Sequence, residues 1–381
     1  MKPKHITILK GLSGEFAAVE HLDSNTAGKL LPLFEIERLG DRDKWPKYLK
    51  ESPTPTATYL QNTLGKLQNA WGTHPVMVDA YHWSPKAQVE NGEHVIPYAV
   101  RQLQLAGMPV IPVIGYDRWE TPEYQLALQN ISPPADGHYC IRLDPIALDD
   151  AAEPELFRDT IDEIVDTLEL TPADCSVLID FGDISASTAS IEVLISKASS
   201  VLLQLAELGF RYYSIAGCSL PDSVPLAVHD QDSSGMVLRK EMLVWQALRH
   251  SLPTFPIVSG DYGVRGPTTV KFHNPHMNGK IRHTIQRQTF LVRGHAISKD
   301  GGKHSQMPDL VKRLKASGHF LGANFSWGDQ EIAKRTQPDK PGNPTQWISY
   351  DTNHHLTFVV QEVEEFEAST VVQVRLLPET E

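Results

Sequence analysis

The segments PVMVDA at 75–80, PVIPVIG at 109–115 and SVLIDF at 176–181 decide the fold. Each is short, nearly continuous in apolar residues and rich in Val and Ile, as a strand buried on both faces must be. Each also ends on or runs into polar residues: Asp79, then Tyr116 and Asp117, then Asp180. Runs of the same kind at 5–10, 31–35, 139–144, 212–217 and 255–260 bring the set to eight. Between them lie stretches of helical period at 14–21, 55–70, 97–106, 122–129, 153–168, 191–208 and 239–250. Pro154 stands early in one of these, and Gly107 and Gly209 follow two others, as helix start and stop signals. Strands alternating with helices imply parallel, right-handed crossovers, which either close into a barrel or stay open as a doubly wound sheet. Eight strands within about 260 residues predict the closed (β/α)8 TIM-type barrel. KGLSGE, at 10–15 after the first strand, is neither GxGxxG nor a P-loop, so the open nucleotide-binding sheet lacks its usual signature.

Composition narrows the function classes. At 381 residues with 41% hydrophobic and 22% charged side chains, the chain is long enough and apolar enough to bury a large core, which excludes bulk disorder. A net charge of −12 excludes a protein that coats nucleic acid along its whole surface. No apolar run approaches the ~20 residues that cross a bilayer. The N-terminus, MKPKHITILK, has no signal-peptide core, so a cytoplasmic location is expected. Cys140, Cys175 and Cys218 are isolated, without zinc-ligand spacing or an even disulfide count.

The character changes near Gly266. From Val264 to Phe320 there are eleven Lys and Arg residues against Asp300 and Asp309, with six histidines. The expected layout is a barrel over 1–266, a basic, His-rich extension over 267–361 that packs on and completes it, and a tail over 362–381. Helices are expected at 308–317 and 327–335; the residues from Glu362 read as a strand or loose tail. His273 and His276 are separated by Asn-Pro, which suggests a loop. Adjacent in a strand, His354 and His355 would face opposite ways, against a shared metal.

In a parallel barrel the C-terminal strand ends converge on one mouth. In order they carry Lys10, Glu35 and Glu37, Asp79 with Tyr81 and His82, Tyr116 and Asp117, Arg142 and Asp144, Asp180 and Asp183, Ser219, and Asp261-Tyr262. Any one such Asp is ordinarily a turn residue or helix N-cap. Several together repel unless a cation shares the site, and Lys10 and Arg142 are the in-barrel candidates. Two chemistries fit. In the first, Mg2+ or Mn2+ on Glu35, Asp79 and Asp180 activates water against a phosphodiester or nucleotide, with Asp261 and Lys10 in the catalytic set and Arg142 and Arg282 on phosphate oxygens. In the second, a carboxylate pair hydrolyses a glycoside. Ligand contacts are also expected from Asp144, Tyr262, Arg265, Arg287 and His354, the basic segment folding over the mouth. The competing expectation is a non-catalytic recognition protein whose mouth binds an anionic small molecule, nucleic acid or a phage protein. No Gly-x-Ser-x-Gly elbow or Cys/His pairing is visible, which argues against a nucleophilic triad.

Several stretches, read in order, resemble the phage- and bacterium-borne Beta protein family. They are ILKGLSGEFAAVEHL (8–22), LLPLFEI (30–36), SGDYGVRGP (259–267), FSWGD (325–329) and the closing Trp347, His354 and His355. The resemblance implies a setting among mobile elements or phage defence and draws notice to Glu15, Glu35, Asp261 and His354. It implies no substrate and no catalytic residue.

Overall fold

The computed structural model describes residues 2–186, 188–268, 277–300, 304–337 and 339–375. Its strands are β1 (His5–Leu9), β2 (Leu30–Glu35), β3 (Val76–Asp79), β4 (Val110–Gly115), β5 (Tyr139–Leu143), β6 (Cys175–Asp183), β7 (Tyr212–Cys218), β8 (Ser233–Leu238), β9 (Ile257–Asp261), β10 (Asn278–Ile285) and β11 (Gln288–Ala296). β1 to β7 and β9 form a closed barrel, every neighbouring pair parallel. The (β/α)8 TIM-type expectation is therefore met. Closure pairs Ile6 with Gly260 and Thr7 with Asp261. Gly260 suits that seam because a Cβ there would stand 3.0 Å from the Ile215 carbonyl and 3.1 Å from that of Ile6.

Period-2 alternation sorts the wall into two layers. Ile6, Ile8, Leu31, Leu33, Met77, Ile111, Val113, Cys140, Leu178, Ala216 and Val258 fill the barrel. Leu9, Phe34, Val78, Ile114, Ile141, Ile179 and Ile215 belong to the layer under the helices. All three cysteines are buried and free, in keeping with their isolated spacing.

The remaining strands form a three-stranded antiparallel sheet in the order β10-β11-β8. Leu291 of β11 joins the apolar cluster that contains Leu220, Val224 and Tyr262, so this sheet stands beside the mouth at the ends of β7 and β9. The expected helices in the extension occur as Met307–Ala316 and Trp327–Lys334. The last element is one long helix, Pro344–Arg375, which takes in both His354 and His355 and residues 362–375 of the stretch expected to be strand or loose tail, the rest of which lies outside the described residues. It packs on the outside of the barrel against helix Ser13–Glu20 and against β10. The contact with the first helix is close enough that a Cβ on Gly14 would lie 2.9 Å from Ile348 Cγ2. Asn353 ties the elements together, donating to the Ala18 carbonyl (2.9 Å) and accepting from Gly328 N (2.8 Å). Among the described residues, no helix is long and apolar enough to cross a membrane.

Candidate site at the barrel mouth

Inward alternation carries Lys10, Glu35, Asp79, Arg142, Asp180 and Tyr262 to the mouth, where they make one buried network. Arg142 is its hub. Its Nε and Nη2 donate to Asp180 Oδ2 (2.9 and 2.6 Å), Nη1 to Asp79 Oδ2 (2.8 Å), and Nη2 also to Glu35 Oε1 (2.8 Å) and Tyr262 Oη (2.9 Å). Tyr262 Oη donates in turn to Asp180 Oδ2 (2.6 Å), and the guanidinium lies 4.1 Å from the centroid of the Tyr81 ring. Lys10 Nζ donates to Glu35 Oε2 (2.5 Å) and lies 3.1 Å from His82 Nε2, itself 3.2 Å from Glu35 Oε2. Arg118 supplies a third cation, its Nη1 donating to Asp79 Oδ1 (2.8 Å). Gly115 has no side chain because the Arg118 guanidinium crosses the space a Cβ would fill.

Three carboxylates thus meet three cations, and all six carboxylate oxygens have a partner, the last being Asp180 Oδ1, which accepts from Gly182 N at 2.9 Å. The counter-charge these acids require comes from Arg142 and Lys10, the two strand-end cations, and also from Arg118, which strand-end position did not single out. The guanidinium occupies the point on which Glu35, Asp79 and Asp180 converge, so this ligand set does not fit Mg2+ or Mn2+. Burial works to raise the Glu35 carboxyl, but Arg142, Lys10 and His82 outweigh it and hold the group well below the usual carboxylate range. Burial raises Asp117 and Asp144 at the same mouth, and Asp79 adds to the rise at Asp117 and Asp117 to that at Asp144. The surroundings of the mouth therefore shift its carboxyl groups in opposite directions, Glu35 downward and Asp117 and Asp144 upward.

Two cavities flank the network. One, of about 230 Å³, lies between the loops after β7 and β9 and the appended sheet. Arg265, Lys280, Arg282 and His304 line it with Asp222, Thr268 and Trp347. Lys280 is pushed down to about 7 by neighbouring Arg282 and by burial. The other, of about 580 Å³, is a groove lined by Arg38, Trp45, Tyr48, Tyr59 and His82. Lys10 joins them: beside His82 of the groove, it donates from Nζ to the Pro267 carbonyl (2.5 Å), between cavity residues Gly266 and Thr268.

Three expected site residues lie elsewhere. Asp261 faces out of the barrel, since its neighbour Tyr262 faces in and adjacent strand residues alternate. It accepts from Thr7 Oγ1 (3.2 Å) and pairs with His355 Nε2 (2.8 Å) beneath the C-terminal helix. Arg287 sits in the β10–β11 turn with φ 58°, its side chain exposed and its N–H donating to Glu362 Oε1 (2.7 Å). That turn is five residues from Arg282, ~16 Å along a strand, and Arg287 does not line the cavity. His354 is buried between Asp329 Oδ2 (2.8 Å) and the Thr284 carbonyl (2.8 Å). Asp144 stays at the mouth but is engaged as the cap of helix Pro145–Asp150, accepting from Ala147 N (3.3 Å). Arg265 and Arg282 do reach the cavity, although Arg282 Nη1 also pairs with Asp351 (3.3 Å). His273 and His276 lie outside the described residues. Sequence reasoning missed Arg118 and Lys280, and Gly115 three residues before Arg118 was the available signal for the first.

The architecture defines a (β/α)8 barrel protein with a charged mouth and an appended antiparallel sheet. The chain belongs to the Beta protein family, whose profile matches residues 5–361. No curated protein matches it.

Proposed function

We propose that the mouth binds a phosphate-bearing small molecule of the nucleotide or phosphodiester class and hydrolyses it by acid–base chemistry. The observation that carries this reading is the cation-lined cavity on the loops after the seventh and eighth barrel strands, the place where barrel enzymes most often hold phosphate. Arg265, Lys280 and Arg282 offer the charge-assisted donors that phosphate oxygens need. The groove with Trp45, Tyr48 and Tyr59 offers aromatic faces for the organic part. Lys10 and half-buried His82 stand between. In this reading water attacks phosphorus, the P–O bond to the leaving group breaks, and His82 gives the leaving oxygen its proton. Arg142 supplies the charge assigned in sequence reasoning to Mg2+ or Mn2+, so the reading needs no metal on Glu35, Asp79 and Asp180. The mutual satisfaction of the network favours a second reading, ligand recognition without turnover. Incubation with nucleoside monophosphates, cyclic nucleotides and bis(p-nitrophenyl) phosphate separates the two. Turnover that falls at least ~100-fold in His82→Gln, with binding retained, supports hydrolysis. Saturable binding without turnover supports recognition, and neither binding nor turnover removes both.

A further inference from the structure

Outside the barrel wall, His5 on β1, Asp261 on β9 and His355 on helix Pro344–Arg375 bring one imidazole nitrogen each and a carboxylate to within 4.8 Å of one another. All three side chains are buried. His355 Nε2 stands 2.8 Å from Asp261 Oδ2, and His5 Nε2 stands 3.2 Å from Asp261 Oδ1. The hydroxyls behind the rings decide what these nitrogens carry. Ser259 Oγ donates its proton to the Lys4 carbonyl (3.0 Å), so at 2.9 Å from His5 Nδ1 it accepts, and the His5 ring proton lies on Nδ1. In the neutral ring His5 Nε2 is then a bare lone pair turned toward a carboxylate. That nitrogen is fully buried and has no hydrogen-bond partner, the contact with Oδ1 being too poorly aligned to serve as one. Asp261 Oδ1 is already engaged by Thr7 Oγ1 (3.2 Å) and Gly263 N (2.9 Å). His355 Nδ1 is likewise held by a hydroxyl, Thr284 Oγ1, at 2.8 Å.

We propose that His5 Nε2, His355 Nε2 and Asp261 hold a divalent transition-metal ion of the zinc type, fastening the C-terminal helix to the seam between the first and last barrel strands. A cation converts the facing lone pairs from a repulsion into a ligand set. Two imidazoles and a carboxylate are a common zinc donor set, and ~2.1 Å bonds at tetrahedral angles put neighbouring ligand atoms ~3.4 Å apart. Here the imidazole nitrogens lie 2.8 and 3.2 Å from the two carboxylate oxygens, and the three ligand atoms lie within 4.8 Å of one another, so binding needs only a small outward shift of the rings. Each histidine has its remote nitrogen fixed by a hydroxyl, the outer support that metal-bound histidines characteristically have. The fourth position falls to water or the Thr7 hydroxyl. The other buried cluster, His283, Asp329 and His354, lacks this convergence: its two rings stack at 3.7 Å and 17°, so their in-plane lone pairs run side by side.

The test is a titration of chelator-treated full-length protein with Zn2+ and Co2+. The proposal expects one equivalent per chain, a Co2+ absorption band of four-coordinate intensity, and a rise in melting temperature. Ser259→Ala, which touches only the outer support, is expected to weaken binding roughly 10- to 100-fold, and His355→Asn to abolish stoichiometric binding. Absence of binding at micromolar metal, or full binding retained by His355→Asn, overturns it. Should His355→Asn not fold, X-ray absorption of the parent protein decides: two imidazoles with carboxylate oxygen support the site, and any other protein ligand set overturns it.

Discussion

The inner and outer faces of the barrel wall each bury charge, and they carry its cost differently. Inside, three carboxylates are matched by Lys10, Arg118 and Arg142 in a network that opens toward two cavities. Outside, Asp261 is shared by two histidines and sealed under the C-terminal helix. The sequence step that separates them is one residue, Asp261 to Tyr262. A buried ion network contributes little to stability compared with apolar packing of the same volume, so its presence at a mouth points to a ligand. The outer cluster joins β1, β9 and the last helix, and points to fastening.

The largest expected effect is on the inner face. Arg142→Met leaves Glu35, Asp79 and Asp180 without their shared partner and should destabilise the protein by about 3–5 kcal/mol in chemical denaturation. Restoring neutrality with Glu35→Gln, Asp79→Asn and Asp180→Asn in the same chain should recover part of that loss. A loss below ~1 kcal/mol would mean that Arg142 is not the hub. On the outer face, Asp261→Asn should destabilise by about 1.5–3 kcal/mol and speed hydrogen exchange in helix Pro344–Arg375. It should leave anion binding at the mouth within about twofold. A large change in that binding would dissolve the distinction between the faces.

How far this division is readable in the chain follows from period and propensity. The eight barrel strands announce themselves because both faces are apolar, and Lys10, Glu35, Asp79, Arg142 and Asp180 follow from their positions at strand ends. Asp261 departs from the mouth because position at a strand end sets only the level of a residue, while alternation along the strand sets its face, and Asp261 takes the outer one. β8, SSGMVL, has alternating half-buried and exposed residues and no continuous apolar run, so nothing separates it from a loop. The stretch WISYDTNHHLTFVV, 347–360, is rich in β-branched and aromatic residues of low helix propensity. It is helical because Asn353, Leu356, Val359 and Val360 are buried, a tertiary cause that local sequence does not display.

The pH response should separate the faces again. Burial raises Asp351 to about 7, even with Arg282 beside it. Between the ordinary carboxylate range near 4 and that value, the folded state holds a proton that the unfolded chain has released. Stability therefore falls as pH rises through this window, by a few kcal/mol at most, and Asp351→Asn should flatten the slope. Glu35, held below its ordinary value, acts oppositely. Its contribution is present above about pH 4.5 and is lost as pH falls below it. Unfolding curves from pH 3 to 8 for the parent, Asp351→Asn and Glu35→Gln would check both signs.

The smallest effect concerns Lys280. With its ammonium weakened to about 7 by Arg282 and burial, it should take up a proton when an anion binds. Affinity for phosphate should then decline as pH rises from 7 to 9, by about tenfold at most, and Lys280→Met should bind more weakly with little such decline. An equal decline in Lys280→Met would assign the pH dependence to another group.

Calorimetric titration of the parent and Arg265→Ala with inorganic phosphate and a nucleoside monophosphate, at low and high salt, tests the assignment of the mouth most directly. The parent should bind one equivalent, more weakly at high salt, and Arg265→Ala should lose about 10- to 100-fold in affinity. No saturable binding by the parent, or binding that Arg265→Ala leaves unchanged, would contradict it.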